Sequence, residues 1–272
     1  MLPLGVRLVP VRRRGDRLEE DLVVIEEPLE IRVDGKPLVV TMRTPGHDEE
    51  LAAGFLYSEG VIASSHDLRD VRTTTGGAND NSQLRVTRFN GDRVEVQLHA
   101  AATTASVAKA EREFRATAAC GVCGKAQIDD LEQDLPPIMK IQFSTELLEK
   151  LPDTLRQSQT LFEQTGGIHA AGLFTVTGEP LCVREDIGRH NAVDKVIGRS
   201  VLEDKVPLDG RILVVSGRAG FELVQKALKA AIPVMVSVGA ASSVAVEMAT
   251  TAGMALYSFA GPGRGNLHVG TS

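Results

Sequence analysis

Cysteine is scarce in this chain: three residues in 272, Cys120, Cys123 and Cys182. An odd, sparse set excludes the disulfide framework of a small secreted scaffold, and in a reducing compartment the three begin as thiols. Long apolar runs are missing too. Stretches such as Ile212-Leu213-Val214-Val215 fall far short of the roughly 20 residues that span a bilayer, and no basic flank precedes an apolar core at the N-terminus. A cytoplasmic protein with no membrane partner is therefore expected. Positive charge is not in surplus: 30 basic residues against 36 acidic ones give a net charge of −6. A general nucleic-acid binder needs a broad basic surface, so no nucleic-acid partner is expected, and an anionic ligand would require a local basic pocket. What the chain does have is apolar content, 43% of its residues, enough to bury a sizeable core as one large domain or two unequal ones.

Periodicity divides the chain. Residues 1–45 read as short strands, with alternating Leu29, Ile31 and Val33 leading into Asp34-Gly35 and Leu38 to Met42 returning as the hairpin partner. From Asp48 the apolar residues Leu51, Phe55 and Leu56 share one helical face, closed by Gly60. A loop is expected from Thr73 to Ser82, then strands at Leu84 to Phe89 and Val94 to Leu98 joined by the hairpin signal Asn90-Gly91. Residues 103–116 read as a helix that delivers the chain to Ala116 to Gly124, an exposed loop of small residues, and Leu135-Pro136-Pro137 then breaks the chain.

This predicts an N-terminal α+β domain over residues 1–137 and a larger α/β domain over 138–272. In the second part, strands are expected at Gly172 to Thr177, Leu181 to Arg184, Arg211 to Val215, Pro233 to Val238 and Met254 to Ala260. Helices are expected at His190 to Leu202, Ala219 to Ala231 and Ser242 to Ala252. The last three strands are almost continuously apolar, as in a sheet covered on both faces, and alternation with helices implies right-handed parallel crossovers after an opening hairpin.

In such a sheet, ligands bind beyond the carboxyl ends of the strands, where helix N-termini present free N–H groups. Three turns qualify: Arg184 to Asn191, Ser216 to Gly220 and Val238 to Ser242; a fourth Gly-rich stretch, Gly261 to Asn266, follows the last strand. Any one glycine turn is accounted for by tight chain reversal alone. Four at one edge, with Arg189, Arg218 and Arg264 among them, favour an anion pocket.

The Cys120-Gly121-Val122-Cys123-Gly124 stretch is the reactive centre on this reading, because a CxxC pair sets one thiolate beside a second thiol, and Arg115 and Lys125 are nearby cations. Structural zinc would need about four ligands, and no second CxxC or His pair stands at ligand spacing. A thioredoxin-like redox pair would lie at a strand–helix junction, whereas the preceding segment reads as helix. The remaining alternative is sulfur transfer through a persulfide, which suits a loop of small residues. Cys182, between Leu181 and Val183, reads as core packing. His190 occupies the place where zinc deaminases carry H-x-E, but His190-Asn191-Ala192 lacks the Glu and Ser216 to Phe221 lacks both thiolates. A deaminase-like scaffold without its metal is compatible with that pattern. His169 stands in Thr165-Gly166-Gly167-Ile168-His169-Ala170-Ala171 near the same region.

Taken together, Met42-Arg43-Thr44-Pro45, Glu50 to Leu56, the CxxC stretch, Thr165 to Ala171 and Arg184 to Lys195 resemble the FdhD formate dehydrogenase accessory proteins. The resemblance implies a C-terminal cytidine deaminase-like α/β sandwich lacking the zinc site, with a smaller N-terminal α+β domain. It implies a homodimeric sulfurtransferase that takes sulfur from a cysteine desulfurase and passes it to the molybdenum bis(molybdopterin guanine dinucleotide) cofactor of formate dehydrogenase. On this analogy Cys120 carries the persulfide, Cys123 assists, and Phe259, Ala260, Gly261, Pro262, Gly263 and Arg264 form the cofactor-binding stretch, alongside Arg189, His190 and Arg218. Two positions depart from the family pattern: Gly261 replaces an arginine and Gly265 a phenylalanine, which leaves Arg264 and backbone N–H groups as phosphate contacts. A non-catalytic chaperone for the cofactor or apo-enzyme is the alternative from a different class.

Overall fold

The computed structural model describes residues 2–13, 16–76, 91–99 and 135–268. In chain order the elements are β1 (Val6–Arg13), β2 (Arg17–Val24), β3 (Glu27–Val33), β4 (Lys36–Arg43), α1 (Asp48–Ser58), a single 3₁₀ turn (Ser65–Asp67), β5 (Leu68–Thr74) and β6 (Asp92–Leu98). They continue as α2 (Thr145–Gln157), α3 (Thr160–Thr165), β7 (His169–Phe174), β8 (Pro180–Asp186), α4 (Arg189–Leu202), β9 (Ile212–Val215), α5 (Phe221–Lys229), β10 (Val234–Ser237), α6 (Ser243–Ala252), β11 (Ala255–Gly261) and β12 (Arg264–Leu267).

Among the described residues three sheets form: the hairpin β1-β2, a four-stranded sheet in the order β4-β3-β6-β5 and a six-stranded sheet in the order β12-β11-β10-β9-β7-β8. The β3–β4 hairpin turns at Asp34 and Gly35, whose φ angles of 48° and 78° are the left-handed pair that a two-residue hairpin turn requires. In the six-stranded sheet β9, β10 and β11 run parallel, and the β7–β8 hairpin and β12 flank them antiparallel.

Alternation along the central strands supplies two cores. Leu213, Val215, Met235 and Leu256 face α4, α5 and α6 and merge with the four-stranded sheet and α1 into one cluster. Ile212, Val214, Val234, Val236 and Tyr257 face the other way, against Leu148, Leu151 and Leu155 of α2. Each such side chain, taken out of water, contributes about 1.5–3 kcal/mol.

α1 and α4 cross at unusually close range. A Cβ built on Gly54 would stand 1.9 Å from the Asp194 carbonyl oxygen, and one on Gly198 would stand 1.7 Å from that of Glu50. Only a glycine at each position lets the backbones touch. Buried charge lines the same seam. Arg184 donates to Glu50 Oε1 at 2.7 Å, Ser58 Oγ donates to Asp194 at 2.9 Å, and Lys226 Nζ reaches Asp194 at 2.9 and 3.0 Å. Arg43 is fully buried between Asp48 and Asp92.

Several expectations need correction. Thr73 and Thr74 belong to β5, not to a loop. Asp92–Leu98 pairs with β5 on one side and β3 on the other, and Asn90 of the expected hairpin turn lies outside the described residues. The expected strand Leu84 to Phe89 and the expected helix over 103–116 lie outside the described residues. The strand expected at Gly172 to Thr177 begins three residues earlier, because His169 and Ala170 pair with Asp186 and Glu185. The strand expected at Met254 to Ala260 is not the last: the Gly-rich stretch after it turns at Pro262-Gly263 and returns as β12. α2 and α3 were not expected at all. The amphipathic spacing of Leu148, Leu151 and Leu155 and the Ser144 cap on the Leu147 N–H are legible in retrospect, but Pro152 inside α2 argues locally against a helix.

Candidate functional site at the strand ends

The site is built from the turns that follow β8, β9 and β10, with the end of β11 and the start of β7 beside them. At the end of β8 the buried Asp186 organises the chain. Its Oδ1 accepts from the Gly188 N–H at 2.8 Å and from Asn191 Nδ2 at 3.0 Å, and its Oδ2 accepts from the Thr44 N–H at 3.2 Å and lies 2.6 Å from Lys195 Nζ. Gly188 leaves room for that amide, since a Cβ would fall 2.9 Å from Asn191 Nδ2 and push it from its partners. Asn191 Nδ2 also donates to the Met42 carbonyl at 2.8 Å. One buried carboxylate thus ties the first turn of α4 to the end of β4 and sets Arg189 and His190 at the helix start.

The next two turns are joined to each other. The Gly239 N–H donates to the Gly217 carbonyl and the Phe259 N–H to the Gly239 carbonyl, both at 3.0 Å, while Ser237 Oγ lies 2.8 Å from the former oxygen and 3.0 Å from the latter. A Cβ on Gly239 would meet the Gly217 carbonyl at 2.9 Å. Phe259 closes this ladder in the left-handed region at φ 54°, with its side chain exposed. That conformation is costly for an aromatic residue and is held by its neighbours, a pattern that concentrates at ligand sites. The N-termini of α4 and α5, behind Gly188 and Gly220, have no side-chain cap, whereas Ser242 caps α6. Two sets of helical N–H groups therefore remain to bind an anion.

His169, at the start of β7, packs where Gly217 leaves room: the position of a Cβ on that glycine is 3.4 Å from His169 Nδ1 and 3.7 Å from Arg189 Cδ. Burial, then the charge of the Arg189 guanidinium, lowers its pKa below the usual imidazole value, so the ring is neutral near pH 7. His190 Nε2 lies 2.6 Å from Oε2 of Glu222, in the first turn of α5, and that contact holds the Glu222 carboxyl below the usual carboxylate range. Arg218 is exposed beside them.

The structure therefore gathers Arg189, His190, Arg218 and Phe259 around the joined strand-end turns, with His169 among them. Ala260 and Gly261 are buried in β11, and the Pro262-Gly263 turn is fastened elsewhere, through the Gly263 N–H to Glu149 of α2, with Arg264 exposed beside Gly261. Cys120 and Cys123 lie outside the described residues. Cys182 is buried in the core, and burial pushes its thiol pKa up, which leaves it a poor nucleophile. Among the described residues no cluster of His, Cys, Asp and Glu could hold a metal ion, and no helix is long and apolar enough to cross a membrane. Sequence reasoning missed Glu222. It stands 32 positions from its partner, and its only local signal is a first-turn acid behind a glycine turn.

Comparison with known proteins finds relatives over most of the chain. The FdhD/NarQ family matches residues 24–272. The chain is 44% identical to the sulfur carrier protein FdhD of Streptomyces coelicolor, with 97% of this chain and 93% of that one covered. It is 46% identical to that of Mycobacterium tuberculosis (91% and 92% covered) and 39% identical to that of Saccharolobus solfataricus (94% of each). A crystal structure from Desulfotalea psychrophila, described as a formate dehydrogenase accessory protein, shares the fold with a TM-score of 0.73 over 99% of each chain at 23% identity.

Proposed function

Because the chain belongs to the FdhD/NarQ family, we propose that it is a sulfur carrier serving formate dehydrogenase, which receives sulfur from a cysteine desulfurase as a persulfide and passes it to a molybdenum bis(molybdopterin guanine dinucleotide) acceptor. In the loading step the Cys120 thiolate attacks the outer sulfur of the desulfurase persulfide. A new S–S bond forms, the old one breaks, and the desulfurase cysteine leaves as its thiolate. Cys123 assists as the neighbouring thiol.

The observation that carries the acceptor half of this reading is the strand-end floor. Two helix N-termini without side-chain caps, Arg189 and Arg218, and the strained, exposed Phe259 share one edge of the sheet. Uncapped N–H groups and guanidinium forks suit a diphosphate, and an exposed ring suits a base. The stretch Phe259 to Arg264 contributes Phe259 and, at its far end, Arg264. We read the β7–β12 half as a deaminase-like scaffold whose H-x-E position is His190-Asn191-Ala192, and the working protein as a cytoplasmic homodimer.

Mass spectrometry after incubation with a desulfurase and cysteine tests the carrier role. One added sulfur on the Cys120 peptide is expected, together with loss of formate dehydrogenase activity in a folded Cys120→Ala protein. An unmodified peptide with activity retained would instead indicate a chaperone that binds the cofactor or apo-enzyme, and reversible Cys120–Cys123 disulfide cycling with turnover would indicate a redox protein.

A further inference from the structure

The strand-end site holds one polar contact that anion binding does not use. Glu222 reaches from the first turn of α5 to the first turn of α4, where its Oε2 lies 2.6 Å from His190 Nε2. An ionised carboxylate oxygen at that distance cannot face a lone pair, so Nε2 carries a hydrogen. Nδ1 is then the ring atom left over, and among the described residues it has no hydrogen-bonding partner. Both side chains are partly open to solvent, at 26% and 32% of their side-chain surface, so the pair lies at the surface of the strand-end turns instead of being sealed in the core. The second histidine of the site, His169, packs near Gly217, as does Arg189, and is not part of this contact.

We propose that Glu222 is a positioning residue of the strand-end site: by holding the single hydrogen of the neutral His190 imidazole on Nε2, it leaves Nδ1 as a hydrogen-bond acceptor for an N–H or O–H group of the bound nucleotide. This rests on the reading of that site as the seat of guanine dinucleotide tails, whose base and ribose carry such donors. The carboxylate acts through the imidazole. A free ring would exchange its hydrogen between the two nitrogens and present an acceptor to the ligand only part of the time.

Two measurements on the full-length chain test the assignment. Long-range ¹H–¹⁵N correlation of the imidazole nitrogens, with His190→Gln identifying the signals, reads the tautomer directly. Calorimetric titration with guanosine diphosphate, which carries the guanine, ribose and diphosphate of the tails, reads its consequence. Wild type is expected to show one neutral tautomer protonated at Nε2. Glu222→Ala is expected to show exchange between both tautomers and to bind guanosine diphosphate about tenfold more weakly, the weight of one hydrogen bond. Glu222→Gln, whose amide oxygen accepts the same N–H, should restore both readouts, and Glu222→Leu replaces the alanine variant if that one fails to fold. Ring signals indifferent to residue 222, or a changed tautomer with unchanged affinity, would overturn the proposal while leaving the nucleotide site standing. A wild-type protein that does not bind guanosine diphosphate would overturn the nucleotide reading, and this proposal with it.

Discussion

The crossing of α1 and α4 makes the sharpest prediction about stability, and Gly198→Ala is the perturbation that tests it. The new Cβ would stand 1.7 Å from the Glu50 carbonyl oxygen and 2.5 Å from the Gly54 nitrogen, both backbone atoms that no rotamer change can move aside. Ordinary contact begins at 3.4 Å, so the helices must part by about 1.7 Å. Parting costs about 1–3 kcal/mol in strained packing. Breaking the Ser58 to Asp194 hydrogen bond across the same seam costs about 1–3 kcal/mol more, because it leaves a buried carboxylate short of a donor. Alanine returns only about 1 kcal/mol in helix propensity. The net expectation is a loss of about 3 kcal/mol, read as a lower urea midpoint and a melting temperature about 6–12 °C below wild type. Gly210→Ala is the control: its added Cβ meets nothing within 4 Å, and a change within about 0.5 kcal/mol is expected. A Gly198→Ala protein that unfolds at the same urea concentration as that control would refute the close-crossing argument.

Other perturbations follow from the charge network and the site. The Glu50 carboxyl, bonded to the Arg184 guanidinium against the opposing cost of burial, is lowered from 4.5 to about 2. A depressed acid contributes stability that is fully present above its unfolded value and is lost as pH falls towards its folded one. Urea midpoints should therefore drop between 4.5 and about 2 in wild type, and this segment of the drop should be absent in Glu50→Gln. Asp194→Ala strands the buried Lys226 ammonium with Glu59 alone, at 3.5 Å, and should cost about 3–5 kcal/mol by chemical denaturation. The double variant Asp194→Leu with Lys226→Met should recover most of that loss. Arg218→Ala, at an exposed position, should leave the melting temperature unchanged while weakening guanosine diphosphate binding about tenfold and flattening its dependence on salt. Cys182→Ala should load desulfurase-derived sulfur as wild type does, measured as the mass of the intact protein, because the Cys182 thiol is buried with a raised pKa.

What depends on local chemistry is legible in the order of the residues. Alternating apolar residues and Asp34-Gly35 specify the β3–β4 hairpin, because side chains alternate across a strand and only a left-handed pair closes that turn. The α4, α5 and α6 helices and the strands between them were legible from apolar runs punctuated by glycine turns. The CxxC motif and the arginine-bearing turns marked the candidate chemistry, and family membership followed from motifs spread along the chain. Which distant groups meet is set by the packing of the fold. That β6 sits between β3 and β5, that Glu222 lies against His190, that Asp186 binds Thr44 from 142 positions away, and that Gly54 meets Gly198 are all contacts between segments far apart in the chain. No local propensity encodes them. They arise because two apolar sheet faces and a buried set of charges have few arrangements in which every face is covered and nearly every charge is paired.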